Sequence, residues 1–195
     1  MKRSVKSVVT LAIVLLAGCV SYSQNELPVV QSWPPTAHTP LQKPTVVVRT
    51  TVLNQVNGGP ASAATGAMAV VSETAVAEGF RQSERFARVS TDKLESDIYA
   101  EATLYNNEQF SLASAFITGV TFFIIPSTAK NTFTLETVFK SKDGKELGRV
   151  RKSESVRTWM HAVLIVAIPF QKNTQDVVHA LTRSTLEEAV QRRLL

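Results

Sequence analysis

Along residues 45–55 the chain reads TVVVRTTVLNQ, a β-branched and partly alternating run that predicts a strand. The run breaks at Asn57-Gly58-Gly59-Pro60, and Pro60 suits a first helical turn, where its missing N–H is not needed. Residues 61–82 are rich in alanine and repeat Met68, Val71, Ala75, Val76 and Phe80 at helical spacing, which predicts a long central helix. A short strand is predicted over 86–89. A longer one follows over 96–105, with Ile98, Ala100, Ala102 and Leu104 on one face. Alternation returns at 132–139, which puts Phe133, Leu135, Thr137 and Phe139 together. Asp143-Gly144 then predicts a hairpin, because a type I′ turn needs positive φ twice, with the return strand over 146–157. The last helix is predicted over 173–195. Asn173 caps it with Asp176 three residues on, and Val177, Leu181, Leu186, Val190 and Leu194 trace its apolar stripe. This order predicts an α+β fold: an antiparallel sheet packed by the long central helix and the C-terminal helix.

Two apolar runs stand outside that pattern. Residues 113–126 (ASAFITGVTFFIIP) and 159–170 (WMHAVLIVAIPF) carry no Lys, Arg, Asp or Glu. Both are short of the ~20 residues a relaxed transmembrane helix needs. Three readings compete. The runs are buried strands or a core helix; or they dip into a membrane, with Phe116, Phe122, Phe123 and Trp159 as the contact residues; or they form a docking surface for a partner protein. His161, inside the second run, is either a buried neutral imidazole or a pH-responsive group at a membrane face.

The N-terminus reads MKRSVKSVVTLAIVLLAGC. Lys2, Arg3 and Lys6 precede a short apolar stretch over 8–17, the layout of a secretory leader. It runs into Leu16-Ala17-Gly18-Cys19, which resembles the bacterial lipobox. The resemblance implies cleavage between Gly18 and Cys19, so that residues 1–18 are a removed signal peptide. It also implies that Cys19, the chain's one cysteine, carries diacylglycerol and a further acyl chain such as palmitate. Several acyl chains at about 0.8 kcal/mol per buried CH₂ make an anchor that hardly dissociates. Val20 stands where aspartate would favour inner-membrane retention. The resemblance therefore implies the periplasmic face of a Gram-negative outer membrane.

Five of the eight prolines, Pro28, Pro34, Pro35, Pro40 and Pro44, fall between residues 20 and 44. That composition predicts a polyproline-like spacer, residues 19–44 in all, ahead of a single α+β domain over 45–195. Trp33 within it is a group for the body or for the membrane interface. The strand–helix order, with "RFARV" and "SDIYAEATL", makes residues 45–105 similar to small α+β modules of Gram-negative envelope proteins. These are the lipopolysaccharide-assembly lipoprotein, the curli secretion lipoprotein and the N-terminal domain of the Tol-system propeller protein. The membrane-spanning hairpins and glycine-rich signatures of the curli family are not evident in this chain.

Charge and chemistry narrow the function further. Removing Lys2, Arg3 and Lys6 with the leader takes the formal charge from +5 to +2, near balance, which argues against a nucleic-acid partner. Lys140, Lys142, Lys145, Arg149, Arg151, Lys152 and Arg157 make the predicted hairpin basic, either as a solvated face or toward an anionic surface. No nucleotide loop, nucleophile elbow or HExxH motif occurs, and His38, His161 and His179 lack the spacing of metal ligands. Glu187 and Glu188, adjacent on a helix, diverge by about 100° and do not share a substrate atom. The expectation is a lipid-anchored, non-enzymatic envelope lipoprotein without cofactor or metal, held to the membrane through its lipid and serving binding, assembly or structure. The alternative is an accessory subunit of a transport or secretion complex, engaging a membrane partner through 113–126 and 159–170.

Overall fold

The computed structural model describes residues 18–24, 26–30, 32–35, 42–161, 164 and 173–195. Among the described residues the fold is α+β, a seven-stranded mixed sheet packed against three helices. The strands are β1 (Gly18–Ser23), β2 (Thr45–Val56), β3 (Ser62–Ala63), β4 (Arg88–Ser90), β5 (Ile98–Phe110), β6 (Ser127–Ser141) and β7 (Glu146–His161). The helices are α1 (Ala67–Gln82), α2 (Leu112–Val120) and α3 (Thr174–Gln191). The sheet order is β1-β7-β6-β5-β2-β3, with β4 also on β2.

Its centre is the predicted hairpin. β6 and β7 are long and antiparallel, turning through Gly144 at φ 79°. β5 lies antiparallel on β6. β2, however, runs parallel to both β4 and β5. The reason is connectivity: α1 follows β2 and carries the chain back along the sheet before the next strand starts, and such a crossover yields parallel neighbours. The central helix starts at Ala67 rather than near 61, because Ser62 and Ala63 pair with the end of β2 instead.

Alternation sorts the sheet into two faces. Val46, Val48 and Val52 of β2, Ala100 and Leu104 of β5, Phe133, Leu135 and Phe139 of β6 and Val150 of β7 point to one side. There they meet Val76 and Phe80 of α1 and Val178, Leu181 and Leu186 of α3. Phe80 stacks on Phe86 with centroids 5.7 Å apart. α1 and α3 touch at Gly79, where a Cβ would fall 2.6 Å from Thr182 Cγ2. α3 begins as expected, with Asn173 and Asp176 in a reciprocal capping box. The other face, open in that neither α1 nor α3 packs on it, is laddered by polar pairs such as Thr134–Ser153 (2.8 Å) and Thr132–Ser155 (3.2 Å), with Val47, Thr134 and Ser155 buried there.

The described part of the expected spacer lies along the body. β1 pairs with β7 from Gly18↔His161 to Ser23↔Val156. Beyond it the buried Glu154 carboxylate accepts from Ser23 Oγ (2.7 Å), Leu27 N (3.0 Å) and Glu26 N (3.3 Å). Arg183 then sits over the Trp33 ring, 5.3 Å from its centroid. The proline content does not prevent β1, since Pro28 is the first of the prolines and lies beyond Ser23. Residues 36–41 of that stretch lie outside the described residues, as do 1–17.

Candidate membrane interface

Residues 113–126 are neither core strand nor core helix. They form most of α2 and a turn, and Thr118 is the one buried residue of that helix. Ser111 caps it, its hydroxyl accepting from Ser114 N at 3.2 Å. The helix stops at two consecutive left-handed residues, Phe122 (φ 51°) and Phe123 (φ 62°), whose N–H groups reach Gly119 O (3.1 Å) and Thr118 O (2.8 Å). That closure is built for glycine. A side chain there costs on the order of 1–2 kcal/mol per residue, so this aromatic pair is held in place against local preference.

The result is an exposed apolar surface. Phe116 is 71 % exposed, Phe122 69 % and Ile124 71 %, with Leu112, Ile117, Val120 and Ile125 also open, whereas Phe123 is only partly so. The turn is ordered by its own bonds: Thr121 Oγ1 donates to Ile117 O (2.8 Å) and accepts from Ile125 N (3.3 Å). α2 has nine residues, about 13.5 Å at roughly 1.5 Å each. Among the described residues no helix is long and apolar enough to cross a membrane.

Trp159 belongs to this surface through register. Ser127, which follows Ile125 and Pro126, pairs with Met160, and Met160 pairs with Cys19. Cys19 is exposed. It therefore stands two strand spacings from the start of β6, roughly 10 Å. Trp159 Nε1 donates to the Tyr22 hydroxyl (3.3 Å), tying β7 to β1 beside Cys19. His161 is partly exposed, not a core histidine, and its Nε2 lies 3.1 Å from the Ile124 carbonyl, so that nitrogen carries the proton. The structure thus brings Phe116, Phe122, Phe123, Trp159 and Cys19 to one end of the sheet. The rest of the second apolar run, apart from Leu164, lies outside the described residues.

The basic hairpin is elsewhere. Its turn is at the opposite end of β6 and β7, so the apolar runs do not flank it. Lys140 pairs with Glu101, and Arg149 and Arg151 share Glu136. Lys152 turns to the helix side, onto Glu188. Sequence reasoning also missed a cleft of about 650 Å³ at the apolar end, lined by Lys130 and Arg157 with Ser111 and Ser114. Its one legible signal was Arg157, hidden among the other hairpin cations.

No protein-family model matches the chain, and no curated protein matches it. Among solved structures it is similar to a variant PelC dodecamer from Paraburkholderia phytofirmans, with a TM-score of 0.36 and 11 % identity over 88 % of this chain and 95 % of that one. It is also similar to a DUF4136 family protein from Bacteroides thetaiotaomicron VPI-5482, with a TM-score of 0.35 and 12 % identity over 89 % and 96 % of the two chains. Likeness at this level carries nothing about function.

Proposed function

We propose that the chain is a lipoprotein of the bacterial outer membrane, anchored through Cys19 on the periplasmic face, with its apolar end resting on the bilayer that holds the anchor. In this reading it is a non-catalytic binding, assembly or structural component of the envelope. The observation that carries it is shared position: Cys19 and the exposed turn from Phe122 to Ile125 lie at one end of one sheet. Cleavage after Gly18 makes Cys19 the first residue of β1, so acyl chains leave the body beside that turn. Each large apolar side chain moved from water to lipid contributes about 1.5–3 kcal/mol. The anchor makes that contact effectively intramolecular, so a few such side chains suffice. α2 is too short to span, and the contact is interfacial.

The chain has two tryptophans, and Trp33→Phe leaves Trp159 as the only one. In the lipidated protein on phosphatidylcholine vesicles with brominated acyl chains, Trp159 fluorescence is expected to be quenched. Phe116→Asp with Phe122→Asp should abolish the quenching and leave the circular dichroism unchanged. An unquenched Trp159 in the parent protein would show a body standing off the bilayer. Crosslinking from Phe116 to an envelope protein would then favour the accessory-subunit alternative. Cys19→Ala should release the body to the soluble periplasmic fraction, and retention in the membrane would sink the lipoprotein reading.

A further inference from the structure

Lys130 on β6 lies directly opposite Arg157 on β7, and both side chains project from the open face. Cβ atoms so placed are about 4.5–5.5 Å apart, and like charges directly opposite destabilise a sheet. Other cations on these strands are compensated: Lys140 by Glu101, Arg149 and Arg151 by Glu136, Lys152 by Glu188. Among the described residues neither Lys130 nor Arg157 has a carboxylate in ion-pair range. Glu108 is close in sequence to the cleft residue Gln109, but it falls on the other face by alternation. Glu26 is engaged by the Ser155 hydroxyl at 3.1 Å. Arg157 Nε is buried with no hydrogen-bond partner among the described residues.

These two cations share the cleft of about 650 Å³ with Gln109 and the hydroxyls of Ser111 and Ser114. The volume is that of a small-molecule site. Its donors are all suited to an oxyanion, and the guanidinium offers the planar fork that phosphate accepts. Position supplies the source of the phosphate. The next pair along the face is Thr128–Trp159, and beyond it the chain is the apolar turn. With that turn in the acyl region, the cleft stands one residue pair farther out, at the depth of the headgroups.

We infer that this cleft binds the phosphate of an anionic phospholipid headgroup, a reading that rests on the docked orientation proposed above. The anion bridges Lys130 and Arg157 and removes their repulsion. The same chemistry would accept free inorganic phosphate, and the lipid is assigned because the cleft opens beside the membrane-facing turn.

The test uses the lipidated Trp33→Phe protein in neutral detergent, read by Trp159 fluorescence. It is titrated with short-chain phosphatidylglycerol, short-chain phosphatidylcholine and inorganic phosphate. Phosphatidylglycerol is expected to bind about 30-fold tighter than phosphatidylcholine, the effect of two basic side chains at a membrane surface. Lys130→Gln and Arg157→Glu should each erase most of that preference. Arg157→Glu should also melt no lower than the parent, since it turns a repelling pair into an ion pair, so lost binding is not lost folding. Equal affinity for the two lipids, or a preference that survives both substitutions, would overturn the site. Inorganic phosphate binding as tightly as phosphatidylglycerol would overturn the lipid assignment. Quenching by brominated neutral lipid with no headgroup preference removes this inference and leaves the docking reading. Preference without quenching removes the docking reading instead.

Discussion

The two ends of the β6–β7 hairpin differ in how they handle groups that water disfavours or favours. At the turn end, cations meet carboxylates: Glu101, Glu136 and Glu188 each hold at least one Lys or Arg. Asp97 ties β5 to β2 there, accepting from Thr45 N and Thr45 Oγ1, both at 2.8 Å. At the other end, large apolar side chains stand in solvent, two aromatic residues sit at positive φ, and two cations face each other with no carboxylate in ion-pair range among the described residues. The ends are some 13 residues apart along β6, roughly 40 Å at about 3.3 Å per residue. A flat bilayer against one end does not reach the other. On the docked orientation proposed above, the interface shows as uncompensated groups more than as composition. Both ends are rich in conspicuous residues. Among the described residues the strand cations Lys140, Arg149, Arg151 and Lys152 have carboxylates in ion-pair range, whereas Lys130 and Arg157, like Lys142 and Lys145 in the turn, have none.

This contrast can be broken by making the same change on each side of it. Phe139 is fully buried, and Phe139→Ala should cost about 3–5 kcal/mol in denaturant unfolding. Phe116→Ala, at the open end, should fall within about 0.5 kcal/mol of the parent protein. Comparable losses at both positions would mean that the apolar end is core to the fold.

A smaller effect of opposite sign is expected at the strained cap. Phe122→Gly should raise unfolding stability by about 1 kcal/mol, because glycine takes φ 51° without a Cβ conflict. It should also weaken the quenching of Trp159 by brominated lipid. Gain in stability with loss of membrane contact is the pair of results that a functional strain requires. A loss of stability would show that Phe122 packs on the body.

The smallest effect belongs to the turn end. Hydrogen bonds from the Thr45 backbone and then its hydroxyl hold the Asp97 carboxyl below its ordinary value, with burial opposing and Lys142 adding weakly. A lowered folded-state value stabilises the native protein above the ordinary aspartate value of about 3.8 and ceases to do so as pH falls through the folded value. Melting curves of the parent and of Asp97→Asn should therefore differ modestly at pH 7 and converge in acid. A difference independent of pH would assign the effect to shape and not charge.

Much of this protein was legible in one dimension. The strands predicted over 45–55, 132–139 and 146–157 and the helix over 173–195 follow from short-range rules (alternation, an Asp-Gly turn, an Asn cap), while the structure extends the two hairpin strands to Ser127–Ser141 and Glu146–His161. Those rules depend on neighbours a few residues away, so the sequence carries them whole. The α+β class follows from their order. What tertiary structure alone decided is pairing between distant segments. Ser21 and Thr158, 137 positions apart, share a hydrogen bond that makes an edge strand of residues expected to be spacer. The parallel β2–β5 ladder depends on where α1 lands, not on either strand's composition. The apolar run at 113–126 was visible as a run, but hydrophobicity has the same sign in a core and at a bilayer. Its place, exposed at the sheet end shared with Cys19 and away from α1 and α3, takes it out of the core, and that place was decided by the register of three strands.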